Sequence, residues 1–169
     1  MSVTLSVSDY LRDSGLAPQF GDISAKVAQF QAQLRQFIAT EPVPEIKWQY
    51  QVPELGEGGA CSLFGQLAEQ PYDLAAILGG KTTANQQMLE QMTLVTRFYQ
   101  SQSKSDWFGI YQRRQNPAGE TVLVKLSYFG APSRAEFPLT TEFAAMSNNS
   151  TVGLTGKARI INDVPAYLE

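Results

Sequence analysis

Residues 107–129 constrain the fold most, because they contain two apolar segments separated by a turn. The first segment covers residues 107–112, and Asn116-Pro117-Ala118-Gly119 follows it. The second segment covers residues 121–129 and is rich in Val and Leu. Asn, Pro and Gly favour turns, whereas β-branched and aromatic residues favour strands. The sequence therefore predicts an antiparallel hairpin.

Two amphipathic helices are predicted before this hairpin. In residues 23–38 apolar side chains recur at helical spacing, with Gln, Lys and Arg on the opposite face. In residues 84–99 a similar apolar stripe begins at Met88, and Thr83 with Gln86 predicts a capping box at the helix start. We expect the stripe to pack into the core rather than to form a cofactor site.

The remaining segments are shorter and less regular. Alternating apolar residues predict a strand over 46–52, which Pro53 and the glycines at 56–59 would end. Short helical pieces are predicted between residues 62 and 80, a loop is predicted from Pro138, and one or two helical turns are predicted at 141–146. Glycines in residues 153–158 predict a tight backbone feature that opens a short helix.

Composition excludes several classes of function. The 169 residues suit one domain, or one domain with a helical extension, and they include no histidine and only Cys61 as a thiol. Histidine-containing zinc sites, Ser-His-Asp triads and Cys-His dyads are therefore excluded, and no dense acidic cluster predicts another metal site. The net charge of -3 leaves no basic stripe for a phosphate backbone, so we expect no nucleic-acid partner. The sequence contains no glycine-rich phosphate loop, and we expect no cofactor.

The sequence also bears on location. The first residues lack the charged and apolar pattern of a signal peptide, and no apolar stretch approaches the roughly 20 residues that span a bilayer. A single cysteine cannot form an internal disulfide, which fits a reducing compartment. We expect a cytoplasmic protein with no membrane partner, in which Cys61 is a small buried hydrophobe rather than a redox group.

The order of these segments resembles a known family. A helix, a Trp-x-Gly-x-Tyr strand (Trp107, Gly109, Tyr111), a hairpin, a Gly-x-Pro turn and a Gly-x-x-Gly-x-Ala segment follow one another across residues 88–167. This order resembles the GAF domain, and most of all the free methionine-(R)-sulfoxide reductases. In that alignment the two glycine motifs of the family fall on residues 130–138 and 153–158, and its Asp-Val pair on Asp163 and Val164.

The resemblance implies a fold and a division of the chain. The expected class is α/β (α+β), with a GAF-like antiparallel sheet flanked by helices. Residues 1–80 would form an N-terminal, mostly helical extension with one strand. Residues 81–169 would form the N-terminal part of a GAF-like domain that ends before the fold is complete. The chain would then be a fragment, or its domain would be completed by a partner subunit.

Two departures from the family pattern decide the expected function. Two family cysteines fall on Arg134 and Thr155, which cannot perform thiol-disulfide chemistry, and the third would lie beyond Glu169. The resemblance thus implies a small-molecule-binding domain with a sensory or regulatory role and no catalytic residue in this chain. The alternative is a methionine sulfoxide reductase-like enzyme whose catalytic cysteine lies beyond residue 169. By analogy alone, the helices at 23–38 and 84–99 could form a homodimer.

The candidate ligand-binding residues are Trp107, Tyr111, Ser133, Arg134 and Thr155. Trp107 and Tyr111 lie on one face of a strand, as an aromatic pocket wall or as ordinary core residues. Arg134 would meet an anionic ligand or an acidic neighbour such as Glu136, or it would be a solvated surface residue. At a helix start, Thr155 would hold a carboxylate or phosphate, or act as an N-cap.

Overall fold

The computed structural model describes residues 6–56 and 62–168, and it is an α+β structure. The helices are α1 (Val7–Asp13), α2 (Ser24–Thr40), α3 (Leu74–Leu78), α4 (Thr83–Gln102), α5 (Thr141–Ala144), α6 (Asn148–Thr155) and α7 (Val164–Leu168), with a short 3₁₀ helix at Ala17–Gln19. The strands are β1 (Gln49–Tyr50), β2 (Pro53–Leu55), β3 (Ser62–Leu67), β4 (Tyr72–Asp73), β5 (Phe108–Gln115), β6 (Thr121–Phe129) and β7 (Glu136–Pro138).

In the described part of the chain the strands pair in three antiparallel sheets, of which the largest contains the predicted hairpin. Strands β1 and β4 pair, β2 and β3 pair, and β5, β6 and β7 follow one another in a three-stranded sheet. The hairpin turn is closed by the N–H of Gly119, which donates to the Asn116 carbonyl at 2.8 Å. The hairpin prediction is confirmed.

A register shift divides the hairpin near its middle. Ile110 pairs with Ser127 and Tyr111 pairs with Lys125, so Leu126 is an extra residue on β6. Such a bulge bends the strand and turns the side chains next to it away from the regular alternation. The bulge therefore adjoins Lys125.

Helices α2 and α4 confirm the two long helical predictions, although the start of α4 differs in detail. Thr82, not Thr83, is the N-cap, and its side chain accepts from the N–H of Asn85. The two helices pack together through Phe98, whose ring lies 5.1 Å from that of Phe30 between centroids. This aromatic contact lies on the apolar stripes that the spacing predicted.

The segments between these helices correct two predictions. The predicted strand over 46–52 is reduced to the two residues of β1, and Pro53 begins β2 instead of ending a strand. The predicted helical pieces between 62 and 80 are mostly strands, β3 and β4, and only α3 is helical. Short apolar runs suit a buried strand as well as a helix, so periodicity could not separate the two.

Two more predictions, for the residues from Pro138 onward, are wrong. Pro138 ends β7 rather than beginning a loop, whereas the predicted helical turn at 141–146 is present as α5. The glycines near residue 155 do not open a helix, because Gly153 lies within α6 and Gly156 ends it. Helix α6 finishes at Thr155, and Gly156 caps it in the left-handed conformation with φ of 66°. Glycine is the usual residue at this position, because a Cβ disfavours that conformation.

The main core draws on both halves of the chain. Its buried residues are Tyr50, Leu74, Ile77, Leu89, Val122, Val124, Leu126 and Ala135. Residues from β1 and α3 thus pack in one cluster with α4 and β6. This core contains residues from both sides of residue 80, and the domain boundary expected there stays a prediction.

Candidate functional site

The site is built around the loop of residues 130–134, which follows β6 and leads into β7. Gly130 begins this loop with φ of 98°, a conformation that L side chains rarely adopt. A Cβ on Gly130 would overlap the carbonyl of Asp106 and the indole of Trp107, and a Cβ on Gly109 would overlap the same indole. The two glycines therefore form a slot for Trp107. From this slot the indole Nε1–H donates to the Ala131 carbonyl at 3.2 Å.

Tyr111 supports the other end of the loop. Its hydroxyl donates to the Arg134 carbonyl at 3.3 Å. Its ring centroid lies 6.3 Å from that of Trp107 and 5.4 Å from that of Phe137, in an edge-on arrangement with Phe137. The predicted aromatic pair is thus close together in space, and both members donate hydrogen bonds to carbonyls of the loop.

Lys125 holds the centre of the loop, and the sequence analysis missed it. The side chain is fully buried. Its Nζ donates to the Ser133 carbonyl at 2.6 Å and to the Ser133 Oγ at 2.8 Å. The same Nζ lies 3.9 Å from the ring centroid of Tyr128 and 4.9 Å from that of Tyr50. A lone charge within the apolar run of β6 was the only sequence indication of this residue.

Burial dominates the electrostatics around Lys125. Because the charged form is removed from water, burial lowers the pKa of Lys125 to about 7. Burial raises the pKa of Tyr111 to about 12, and a hydrogen bond with Ser133 opposes part of that rise. Burial also raises the pKa of Tyr50 and Tyr128. The three tyrosines therefore stay neutral in the pH range in which Lys125 changes its charge.

A cavity of about 720 Å³ lies against this loop. Its described lining is mostly apolar, with a few polar side chains: Pro53, Leu63, Gly65, Gln66, Leu67, Ala131, Pro132, Ser133, Arg134, Phe137, Phe143, Met146 and Ser147. Ser133 and Arg134 are therefore part of the wall. Trp107 and Tyr111 are outside the described lining, and they support the wall through its carbonyl groups.

Arg134 is held over two aromatic rings of the cavity. Its guanidinium carbon lies 4.6 Å from the ring centroid of Phe143 and 5.7 Å from that of Phe137. Its Nε donates to the Glu136 carbonyl at 2.6 Å. The arrangement fixes a cation at the edge of an apolar wall.

Thr155 lies apart from the other four predicted residues. It is exposed at the C-terminal end of α6, its Oγ1 donates to the Thr151 carbonyl at 2.7 Å, and it is outside the described cavity lining. The reason for choosing it, free amides at a helix start, is wrong because this end of a helix presents carbonyl groups. Cys61 lies outside the described residues.

Neither a metal site, nor a membrane span, nor a similar protein assigns a function to this chain. Residues 6–56 and 62–168 contain no group of three or more Cys, Asp or Glu side chains placed to hold a metal ion. No helix in that part of the chain has the length and apolar character needed to cross a membrane. Comparison of the chain with protein-family models, with curated proteins and with solved structures finds no match.

Proposed function

We propose that this chain is a GAF-type small-molecule-binding domain with a sensory or regulatory role, and that its ligand occupies the cavity beside residues 130–134. One observation carries the proposal. Four of the five residues chosen from the sequence, Trp107, Tyr111, Ser133 and Arg134, converge on one loop, and that loop forms a cavity wall. Ligand sites are commonly preformed cavities with a few fixed polar groups.

The lining indicates the class of ligand. A volume of about 720 Å³ is within the range of small-molecule sites, roughly 300 to 1,000 Å³. Leu63, Leu67, Phe137 and Phe143 supply apolar surface, while Arg134 supplies a cation. A ligand with an apolar or aromatic body and one acidic group matches this lining. In this proposal Trp107 and Tyr111 fix the wall instead of contacting the ligand.

Titration calorimetry with three probes tests the proposal. Indole-3-acetate has an aromatic body and a carboxylate, indole-3-acetamide is its neutral analogue, and methionine sulfoxide is the substrate of the resembled family. We expect indole-3-acetate to bind about tenfold more tightly than the amide, since a charged hydrogen bond contributes about 1.5 kcal/mol or more. Arg134→Gln should remove that preference.

Arg159 supplies a matched control for this variant. Its guanidinium also lies near an aromatic ring, 5.7 Å from the centroid of Tyr167, but it is outside the described cavity lining. Arg159→Gln should leave the affinity for indole-3-acetate unchanged. If none of the three probes binds the native chain, the cavity proposal fails. Equal affinity for the acetate and the amide would overturn the acidic part of the ligand assignment.

A further inference from the structure

A second cavity, the α4 cleft, lies between α4, the end of β6 and residues 45–50. Its volume is about 370 Å³. The described lining of the cleft shares no residue with that of the larger cavity. The two adjoin in the loop after β6, where Gly130 lines the cleft and Ala131 lines the larger cavity. A ligand in the α4 cleft would therefore occupy a separate site.

The face of α4 that turns towards the sheet changes from apolar to polar along the helix. Leu89 is 1% exposed and belongs to the main core. Thr93, Thr96 and Gln100 follow Leu89 at helical spacing on the same face, and all three line the α4 cleft. A helix face that packs against a sheet is ordinarily apolar, so this polar run suits a polar occupant better than a packed interface.

The buried part of the lining is held in place by contacts within the chain. Thr96 is 3% exposed, and its Oγ1 donates to the Met92 carbonyl at 2.8 Å, which leaves the oxygen able to accept from a ligand. The ring of Tyr50 lies 5.6 Å from that of Tyr128 between centroids, in an edge-on arrangement. The Tyr50 hydroxyl donates to the Lys125 carbonyl at 2.8 Å. The wall is thus preformed, as in most small-molecule sites.

The exposed part of the lining contains two cations and one carboxylate, those of Arg97, Lys47 and Glu45. Among the described residues, no carboxylate lies within ion-pair distance of Arg97 or Lys47. Arg97 belongs to α4 and Lys47 to the segment before β1, so the two cations reach the cleft from different walls. A phosphate has three terminal oxygens that can accept from both, whereas one guanidinium can satisfy a carboxylate alone.

We propose that the α4 cleft binds a small polyol that carries one phosphate. Arg97 and Lys47 hold the phosphate, while Glu45, Thr93 and Thr96 meet the hydroxyl groups. A carboxylate only accepts, so Glu45 suits a ligand hydroxyl and disfavours a second anionic group. A volume of about 370 Å³ lies near the lower end of the range for small-molecule sites, roughly 300 to 1,000 Å³, and suits a single sugar ring.

Three probes with the same sugar ring test this proposal. Glucose 6-phosphate is a dianion at about pH 8, glucuronate carries a carboxylate, and glucose has no charge. Each probe is titrated into the native chain at constant ionic strength, and backbone amide signals in NMR spectra report both the affinity and the place of binding. We expect glucose 6-phosphate to bind about tenfold more tightly than glucuronate and to shift the amides of Thr96, Ser127 and Gly130. Glucose should bind most weakly.

Four variants complete the experiment. Arg97→Gln should weaken binding of glucose 6-phosphate about fivefold, and Lys47→Gln about threefold, because each removes one charged donor. Both side chains are exposed, so we expect both variants to fold. Arg35→Gln is the matched control, since Arg35 is also an exposed arginine on a long helix, α2, but lies outside the described lining. Arg35→Gln and Arg134→Gln should both leave the affinity unchanged.

The outcomes separate this inference from the proposed function. Saturable shifts at the cleft that weaken in Arg97→Gln support the phosphate site even if indole-3-acetate does not bind. The absence of saturable shifts, or an equal loss in Arg35→Gln and Arg97→Gln, would overturn it even if indole-3-acetate binds. Shifts centred on residues 131–134 that persist in Arg97→Gln would also overturn it, since the phosphate would then lie in the larger cavity. Equal affinity for glucuronate would overturn the choice of phosphate.

Discussion

The two glycine-containing segments, residues 130–134 and 153–158, both contain residues that were predicted to bind a ligand, yet the chain uses the two segments differently. The first loop receives side-chain hydrogen bonds from Trp107, Tyr111 and Lys125 and lines the large cavity. The second ends α6 and contacts the end of α1, where the N–H of Ala158 donates to the Ser14 carbonyl at 2.9 Å.

The difference lies in what reaches each loop from elsewhere in the chain. Both loops contain a glycine in the left-handed region, at Gly130 and at Gly156. A Cβ atom added to Gly130 would overlap Trp107, whereas a Cβ atom added to Gly156 would have no atom within 4 Å. The local sequence therefore identifies a turn in each case, and the distant partners decide which turn supports a site.

The largest expected effect comes from placing the same side chain in both loops. Gly130→Ala should lower the free energy of unfolding by about 3 kcal/mol, because left-handed strain of about 1–2 kcal/mol adds to an overlap with Asp106 and Trp107. Gly156→Ala should lower it by only about 1 kcal/mol, since strain acts there without overlap. Urea unfolding measures both values. Equal losses would show that the indole slot does not distinguish the loops.

A second difference concerns burial of the lysine at each segment, Lys125 at the first and Lys157 in the second. The pH dependence of the free energy of unfolding distinguishes the two lysines. The pKa of Lys125 is lowered in the folded chain, so the unfolded chain binds the proton more tightly and stability rises with pH from about 7 towards the ordinary lysine value of 10.5. Between pH 7 and pH 9 the gain should be on the order of 2 kcal/mol.

Variants of the two lysines assign this gain. Lys125→Met should remove it, whereas Lys157→Met should retain it because that side chain is exposed. Chemical denaturation at several pH values gives the slope. Above about pH 10, the raised pKa of the buried Tyr50 and Tyr72 should reverse the trend, because these tyrosines hold their protons longer in the folded chain. A native chain whose stability stays constant from pH 7 to pH 9 would contradict the lowered pKa of Lys125.

The same contrast between local and distant contacts explains which elements could be predicted from the sequence. The hairpin and the helices α2 and α4 were predictable, because their periodicity and turn residues are local and extend over many positions. The short strands β1 to β4 were not, since runs of two to six residues carry too little periodicity. The class α/β (α+β) was expected from the resemblance to the GAF domain, and the mixture of helices and small antiparallel sheets confirms the α+β class.

The site was predictable in part for a related reason. Tyr111 lies on β5 and Trp107 directly precedes that strand, so their closeness follows from the period of two of extended chain. Lys125 was missed because its burial depends on a bulge and on Tyr50, whose hydroxyl donates to the Lys125 carbonyl across 75 positions of the chain. Thr155 was misplaced because a glycine pair marks a helix start and a helix end equally well.

The smallest expected effects separate the two hydroxyl residues that were predicted together. Ser133→Ala should weaken binding of indole-3-acetate about threefold to tenfold, because Ser133 lines the cavity and links its wall to Lys125. Thr155→Val should leave the affinity unchanged within twofold and change stability by less than about 0.5 kcal/mol, because the side chain is exposed and bonds only within its own helix end. Calorimetry at pH 6, where Lys125 is charged, gives the sharpest contrast. A loss of affinity in Thr155→Val that equals the loss in Ser133→Ala would place both loops at the ligand, and the distinction between them would then be wrong.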